Sequence, residues 1–254
     1  MALYFNSRTP KSIYFNNQEV KKVVFNNVIV WKKLPSEYKE VEYIESNGTQ
    51  YIDTEIYGTE KTRIDILYEY TSNATSSIIL GNRIASKDRE FLLGTSINSL
   101  PGYLFLGYRN SGISNNSTDY KDYNILINKN TKYRVFINSG LYPSPLLKPS
   151  SNLILREMYK SVNVNGINYS VPIINENFNT FKTLDVFGGY ASQYNFSLTS
   201  AKIYSLKIYS GDILQRDFIP CYKVSTNEVG LYDIVSQRFF TNKGEGVFTK
   251  GNNV

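Results

Sequence analysis

Short runs of apolar residues alternate with polar ones along most of this chain, and turn-forming residues separate the runs. Near the carboxyl end, Ile203, Leu206 and Ile208 lie among polar residues until Ser210-Gly211-Asp212 interrupts the pattern. Segments rich in β-branched and aromatic residues and bounded by turn formers are typical of β-strands. Ahead of this closing segment, the pattern predicts strands at 50–56, 62–70, 77–82, 90–94, 103–109, 132–138, 152–157 and 182–188.

The stretch from 139 to 179 is the least regular part of the pattern, because four prolines interrupt it. Proline lacks the backbone donor that a sheet ladder needs. We expect surface loops here, with one short hairpin that turns at Asn163-Val164-Asn165-Gly166.

A short motif recurs at a spacing of ten residues near the amino end, as Tyr4-Phe5-Asn6, Tyr14-Phe15-Asn16 and Val24-Phe25-Asn26. Asparagine tolerates the left-handed conformation of tight hairpin turns, so the Asn-Asn pairs at 16–17 and 26–27 predict turns. The repeat predicts a small β-meander over 1–33. A unit of this size cannot bury a core of its own, so we expect it to pack on the following domain or, as we favour, on a neighbouring chain. The residues expected to make that contact are Phe5, Phe15, Lys21, Lys22, Phe25 and Trp31.

Positive charge is concentrated in the segment 1–33. Residues 1–33 contain six basic residues and one acidic residue, a net charge of +5, whereas the remaining chain is nearly neutral at +1. One interpretation is a docking element for an acidic protein surface; the other is that the lysines protect exposed strand edges. Nucleic acid is a less favoured partner, because neither a recognition helix nor an RNA-binding strand motif accompanies the lysines.

Length and composition indicate one large β-domain after the meander. A chain of 254 residues with 41% hydrophobic content can bury a single all-β core. The 22 tyrosines also favour strands over helices. Since proline disfavours a helix at the preceding residue, Lys33-Leu34-Pro35-Ser36 suits a boundary. We therefore predict an antiparallel two-sheet sandwich over 34–254.

The chain contains no histidine and one cysteine, Cys221. Without imidazole, catalysis by Ser/His/Asp or Cys/His groups and histidine-ligated metal sites are excluded. A single cysteine excludes an intrachain disulfide, and we expect Cys221 to be buried as a small apolar residue. No secretory signal and no run of eighteen apolar residues is readable, so we expect synthesis in a cytoplasm and no membrane-spanning helix.

Several segments resemble a known family. The opening segments are 34–38 and 43–54, and the closing ones are Arg216 to Tyr222, Gly230 to Asp233 and Phe239 to Asn242. They are similar to the opening and closing strands of concanavalin A-like (laminin-G-like) jelly-roll domains in phage tail proteins of low-GC Gram-positive hosts. The segment 1–33 likewise resembles the short adaptor at the front of such proteins.

The resemblance implies a binding module rather than an enzyme. It implies a virion protein that docks onto other virion proteins through 1–33, as a symmetric homo-oligomer for which a trimer is one option. Its sandwich would bind host-surface carbohydrate, such as a cell-wall glycan. The alternative is a purely structural decoration of the capsid, collar, tail or baseplate, and a glycan hydrolase is less favoured.

Two loops carry the residue types that bind sugars, since rings stack on pyranose faces while amides and carboxylates pair with hydroxyls. The first loop follows the strand predicted at 103–109, and the second follows the one predicted at 182–188. The candidate ligand-binding residues are Tyr108, Arg109, Asn115, Asn116, Asp119, Tyr120, Tyr190, Gln193 and Tyr194.

Two acidic groups suggest other chemistry. Glu40, Glu42 and Glu45 resemble the spaced carboxylates of sandwich-fold glucanases, although the favoured interpretation is a charged edge strand. An oxygen-rich loop over 115–122 offers ligands of the kind that calcium takes. Because it lacks an EF-hand spacing and a glycine at its turn, a polar turn without metal is the favoured interpretation.

Overall fold

We analysed a computed structural model of the protein, which describes residues 13–16, 18–20, 22–25, 28–32, 34–73, 77–82, 90–95, 102–109, 120–137, 142–143, 158–173, 179–190 and 196–254. Every regular element in these ranges is a β-strand, and all strand pairs are antiparallel. The predicted all-β class is therefore confirmed.

The first twelve strands lie between residues 13 and 126. They are β1 Ile13–Phe15, β2 Gln18–Val20, β3 Lys22–Phe25, β4 Val28–Lys32, β5 Tyr38–Glu40, β6 Ile44–Asn47, β7 Ile52–Thr59, β8 Thr62–Tyr70, β9 Ile78–Asn82, β10 Glu90–Thr95, β11 Tyr103–Arg109 and β12 Tyr120–Leu126.

The other twelve lie between residues 132 and 250. They are β13 Lys132–Ile137, β14 Tyr142–Pro143, β15 Met158–Val164, β16 Ile167–Ile173, β17 Asn179–Val186, β18 Gly188–Tyr190, β19 Phe196–Leu198, β20 Ser200–Ser210, β21 Ile213–Lys223, β22 Val229–Asp233, β23 Arg238–Phe240 and β24 Thr249–Lys250.

Two sheets form the body of the fold. The smaller has six strands in the order β12-β11-β10-β9-β17-β7. The larger has twelve strands, eight of them in the order β14-β15-β13-β8-β20-β21-β22-β23, with β5, β6, β16 and β24 attached beside this path. Three further two-stranded sheets, β1-β2, β3-β4 and β18-β19, complete the described elements.

Alternation along the strands explains how the two sheets enclose one core. In β8, Ile64, Ile66 and Tyr68 are fully buried, and the charged residues Arg63 and Asp65 point to the opposite face. Successive side chains of a strand point to opposite faces of its sheet, so each sheet has one apolar face. A single core cluster joins residues of both sheets, which gives a β-sandwich.

An arginine network ties one edge of the smaller sheet to the larger one. The Arg216 side chain of β21 donates through Nε to the Thr54 carbonyl of β7 at 3.1 Å. Arg238 forms a bidentate pair with Glu55, with contacts of 2.6 and 2.8 Å. Both guanidinium groups stack on the ring of Phe240, at 5.5 and 5.1 Å from its centroid.

Asp233 organises the turn that follows β22. Its carboxylate is fully buried and accepts backbone N–H bonds from Asp217 at 2.7 Å, Val235 at 3.1 Å and Ser236 at 2.9 Å. Arg216 Nε lies 3.7 Å from the same carboxylate. These C-terminal polar residues support the fold, and Cys221 is buried as expected.

Most predicted strands exist, with small differences in their bounds. Thr62–Tyr70 and Tyr103–Arg109 have the predicted limits. The hairpin expected near 163–166 is present, but it is longer than predicted, since β15 and β16 have seven residues each. The strand predicted at 152–157 lies outside the described residues.

The amino-terminal segment forms two separate hairpins in the described ranges, β1 with β2 and β3 with β4. Asn16, which follows β1, has the expected left-handed backbone at φ 49°. The division into a docking module at 1–33 and a sandwich at 34–254 stays a prediction, as does the jelly-roll connectivity.

Candidate functional site

The outer face of the six-stranded sheet, which points away from the core, carries two carboxylates side by side. Asp53 of β7 and Asp185 of β17 are register partners on adjacent strands. Their chain neighbours Ile52 and Val186 are also partners, and both are fully buried in the core. Because side chains alternate between faces, the two carboxylates share the face opposite the core.

Asp185 is the more buried of the two carboxylates, with 5% of its surface exposed. Burial raises the pKa of its carboxyl group to about 7, and the negative charge of Asp53 raises it further in the same direction, while Lys182 acts against the shift. A carboxyl group that titrates near neutrality is unusual outside functional sites and buried networks.

Asn82 lies beside this pair at the end of β9 and is 1% exposed. Its Nδ2 donates to the Thr183 carbonyl at 3.0 Å and approaches Asp185 Oδ2 at 3.4 Å. Its Oδ1 is buried and has no hydrogen-bond partner. Buried polar atoms without partners are rare, so this oxygen calls for an explanation.

Aromatic side chains are exposed on the strands that carry the acidic pair. Tyr57 of β7 is 50% exposed and Phe181 of β17 is 54% exposed. Tyr57 is the register partner of Thr183, two residues before Asp185. Farther across the sheet, half-buried Tyr103 and Phe105 alternate with buried leucines of β11, which places their rings on the outer face too.

Glycine allows neighbouring segments to approach each other closely near the acidic pair. Gly81, the register partner of Asp185, has φ 147°, and a Cβ there would lie 2.2 Å from the Phe91 carbonyl oxygen. A Cβ on Gly189 would lie 2.5 Å from the Gly81 carbonyl oxygen. The backbone of β18 therefore packs directly against β9, next to the acidic pair.

The structure assigns several sequence-predicted ligand residues to this region. Tyr108 and Arg109 end β11, Tyr120 begins β12 as the register partner of Gly107, and Tyr190 ends β18. All four belong to the six-stranded sheet or to the β18-β19 hairpin beside it. The remaining candidates lie outside the described residues; these are Asn115, Asn116, Asp119, Gln193 and Tyr194.

The prediction of an oxygen-rich loop over 115–122 is wrong at the carboxyl end of this range. Tyr120 and Asp122 belong to β12, where Asp122 pairs with Phe105 of β11. The polar composition of this segment did not predict a strand. Pairing with β11 stabilises the strand instead. In the described part of the chain, no group of three or more acidic, histidine or cysteine side chains is arranged to hold a metal ion.

The three glutamates of the hydrolase hypothesis lie in the larger sheet, on segments with hydrogen-bonded neighbours on both sides. Glu40 is exposed on β5, and exposed Glu42 accepts hydrogen bonds from the backbone and side chain of Asn252, at 3.2 and 3.3 Å. Glu45 on β6 is the register partner of Lys202. The edge-strand interpretation is therefore wrong, because β6 lies between β20 and β24, and residues 40–42 lie between β21 and the chain end at 252–254.

The predicted docking residues are only partly described. Phe15, at the end of β1, is 72% exposed. Lys22 and Phe25 lie on β3 and Trp31 lies on β4. Phe5 and Lys21 lie outside the described residues. Their role in docking stays a prediction.

The sequence analysis missed Asp53, Asp185, Asn82, Tyr57 and Phe181. A signal for Asp185 does exist, because a carboxylate between Leu184 and Val186 interrupts an apolar strand. Nothing in the sequence pairs it with Asp53, since that proximity depends on the register of strands more than one hundred residues apart.

These features define the protein as an all-β sandwich with an acidic and aromatic sheet face. No family model matches the chain, and no curated protein matches it. Among solved structures it is similar to a "putative carbohydrate binding protein" from Bacteroides ovatus, with a TM-score of 0.54 and 13% sequence identity. The similarity covers 90% of this chain and 65% of that one, and it supports the sandwich fold. The part of the chain that the structure describes contains no helix long and apolar enough to cross a membrane.

Proposed function

We propose that this protein is a carbohydrate-binding module that uses the outer face of its six-stranded sheet. The observation that carries the proposal is the combination of exposed rings, Tyr57 and Phe181, with the acidic pair Asp53 and Asp185 on the same two strands. The exposed rings can stack on the C–H faces of a sugar, while carboxylate oxygens accept hydrogen bonds from its hydroxyl groups.

Two further observations support this proposal. The described candidates from the sequence analysis, Tyr108, Arg109, Tyr120 and Tyr190, belong to the same sheet or to the hairpin next to it. In addition, the Bacteroides ovatus protein with a similar fold is described as carbohydrate binding. Neither observation identifies a sugar, and only the first indicates a surface, that of the six-stranded sheet.

We further propose that the module is displayed on a phage virion. The resemblance of its opening and closing segments to phage tail domains supports this role, as does the basic segment 1–33. Host-wall glycans of low-GC Gram-positive bacteria would then be the ligand class, and neighbouring virion proteins would bind 1–33. The purely structural alternative predicts no glycan binding at all.

The test is binding of the purified chain to a glycan array and to intact Gram-positive cell walls, compared with walls stripped of polysaccharide. Tyr57→Ala and Phe181→Ala should each weaken binding by about threefold to tenfold, the range expected for the loss of one aromatic contact. Ile213→Ala is the matched control, because Ile213 is similarly exposed, at 68%, beside the turn between β20 and β21 of the larger sheet.

Circular dichroism would establish that each variant is folded. Binding that is lost on stripping and reduced only by the two aromatic variants would support the proposal. Absence of binding to every glycan and wall sample would contradict it, as would equal binding by all three variants.

A further inference from the structure

The two exposed rings of the proposed binding face lie where β7 and β17 leave their regular pairing. The pairs at the two ends of these strands share one register, in which Phe181 would lie opposite Tyr57, but the observed partner of Tyr57 is Thr183. Glu55 of the same stretch has a left-handed backbone at φ 59°. A β-bulge of this kind disrupts the ladder of backbone hydrogen bonds and re-aims side chains. The backbone beneath both rings therefore needs other hydrogen bonds to hold it.

A buried threonine hydroxyl bridges the two strands beside both rings. Thr180 is 2% exposed, and its Oγ1 accepts the Gly58 backbone N–H at 2.8 Å and donates to the Lys182 carbonyl at 2.7 Å. The first bond holds the residue that follows Tyr57, and the second closes the backbone around Phe181. One hydroxyl group thus fixes the chain next to each ring.

A second threonine makes the complementary bridge from β7. Thr54 is fully buried, and its Oγ1 donates to the Leu184 carbonyl of β17 at 2.8 Å and accepts the Ile56 backbone N–H at 3.2 Å. A hydroxyl group can donate and accept at once, as both threonines do here. The backbone N–H groups on the two sides of Tyr57 are therefore both held by threonine side chains.

We propose that Thr54 and Thr180 are positioning residues of the binding face, whose hydroxyl groups fix the backbone that carries Tyr57 and Phe181. Rings that are held in place before a sugar binds lose less conformational entropy on binding. The consequence for sugar affinity rests on the proposed function, whereas the fixing of the backbone can be measured without any sugar.

Replacing each threonine by valine tests the positioning, because valine has nearly the same shape and no hydroxyl group. In Thr180→Val the Gly58 N–H loses its acceptor, so we expect its hydrogen exchange, followed by NMR, to be about tenfold faster than in the parent. The Ile56 N–H should respond in the same way in Thr54→Val. Thr180→Ser keeps the hydroxyl group and should restore the parent rate at Gly58.

Binding to intact Gram-positive cell walls is the second measurement. Thr54→Val and Thr180→Val should each weaken it by about threefold to tenfold, as the loss of one ring does, because both threonines act through the rings. In a Phe181→Ala background, Thr180→Val should have a smaller effect, since one of the rings that it positions is already absent. A residue that only stabilises the fold would have the same effect in both backgrounds.

Thr199→Val is the matched control. Thr199 is also 2% exposed, and its Oγ1 donates to the Ile78 carbonyl of β9 at 2.7 Å, so the variant removes a buried bond of the same kind from another strand. It should leave exchange at Gly58 and binding to cell walls as they are in the parent.

Either of two results would overturn the proposal. The first is exchange at Gly58 and Ile56 that stays at the parent rate in the two valine variants. The second is parent-like wall binding by both variants. If the parent itself binds no wall or glycan sample, the proposed function fails, and the exchange rates alone decide whether the threonines hold the strands. If one valine variant does not fold, the other provides the same two measurements.

Discussion

Among single residues, Asp185 combines burial with a like charge on the neighbouring strand. It lies on the face opposite the core, between the core residues Leu184 and Val186, and only 5% of its surface is exposed. The residue therefore stays in a place where its ionised form is disfavoured. Proteins that keep such a group commonly use it for binding.

The raised pKa predicts how the stability of the fold depends on pH. Between about pH 4 and pH 7 the native state holds a proton on Asp185 that the unfolded chain has released, so this group's stabilising contribution falls as pH rises through about 7. We expect Asp185→Asn to gain up to about 3 kcal/mol relative to the parent between pH 4 and pH 8. Urea unfolding of both proteins at each pH measures this difference.

The comparison with Asp185→Asn isolates one residue, because other shifted groups are common to both proteins. Asp217, for example, also has a pKa raised by burial. A stability difference between parent and variant that stays constant from pH 4 to pH 8 would contradict the assignment.

The candidate site was hard to predict at the residue scale because its members are distant in sequence. Asp53, Asn82 and Asp185 have no shared motif, and register alone brings them together. The predicted residues Tyr108 and Tyr120, by contrast, were selected because amides and rings cluster within one short stretch. Sequence proximity identified the region of the sheet but not its carboxylates.

At the scale of elements, strands with clean alternation were predictable and polar strands were not. Thr62–Tyr70 has buried and half-buried residues in regular alternation over most of its length, and its predicted bounds are correct. Tyr120–Leu126 begins with polar residues and was missed, since pairing with β11 rather than its own composition stabilises it. Pro172 is one of the four prolines over 139–179, yet it lies in β16, which pairs only with β15 in the described residues, and proline is tolerated on such an outer strand.

The turn after β22 is the element that depends most on one side chain. Replacing Asp233 by alanine leaves the backbone N–H groups of Asp217, Val235 and Ser236 without their acceptor. We expect Asp233→Ala to lower the free energy of unfolding by about 3 kcal/mol or more, as measured by chemical denaturation.

Asp212→Ala provides the comparison for this turn. It removes a carboxylate that is 99% exposed, and exposed ion pairs contribute about 1 kcal/mol at most. Equal losses in the two variants would show that the buried hydrogen bonds of Asp233 do not stabilise the turn.

At the scale of the whole molecule, charge separates the amino-terminal segment from the rest. Residues 1–33 carry a net charge of +5, and the larger remainder carries +1. If this segment docks on an acidic virion surface, Lys21→Glu combined with Lys22→Glu should reduce incorporation into particles, and more strongly at low salt than at high salt. Incorporation would be measured by quantifying the protein in purified particles.

A charge reversal on the sandwich, Lys243→Glu, is a suitable control because Lys243 is exposed and lies outside 1–33. Equal incorporation of the double variant and the parent at every salt concentration would contradict electrostatic docking. The strand pattern of the sandwich could be predicted from sequence, whereas the arrangement of 1–33 relative to it could not, because each hairpin pairs only with itself in the described residues.

The pairing of distant strands has a consequence for how fast this protein folds. β8 pairs with β20 across about 140 residues, and β6 pairs with β24 across about 200. A chain must close long loops before such contacts stabilise it, so sandwiches with non-local pairing fold over milliseconds to seconds rather than microseconds. During that interval the central strands of both sheets have unpaired edges, and newly made chains are most exposed to aggregation.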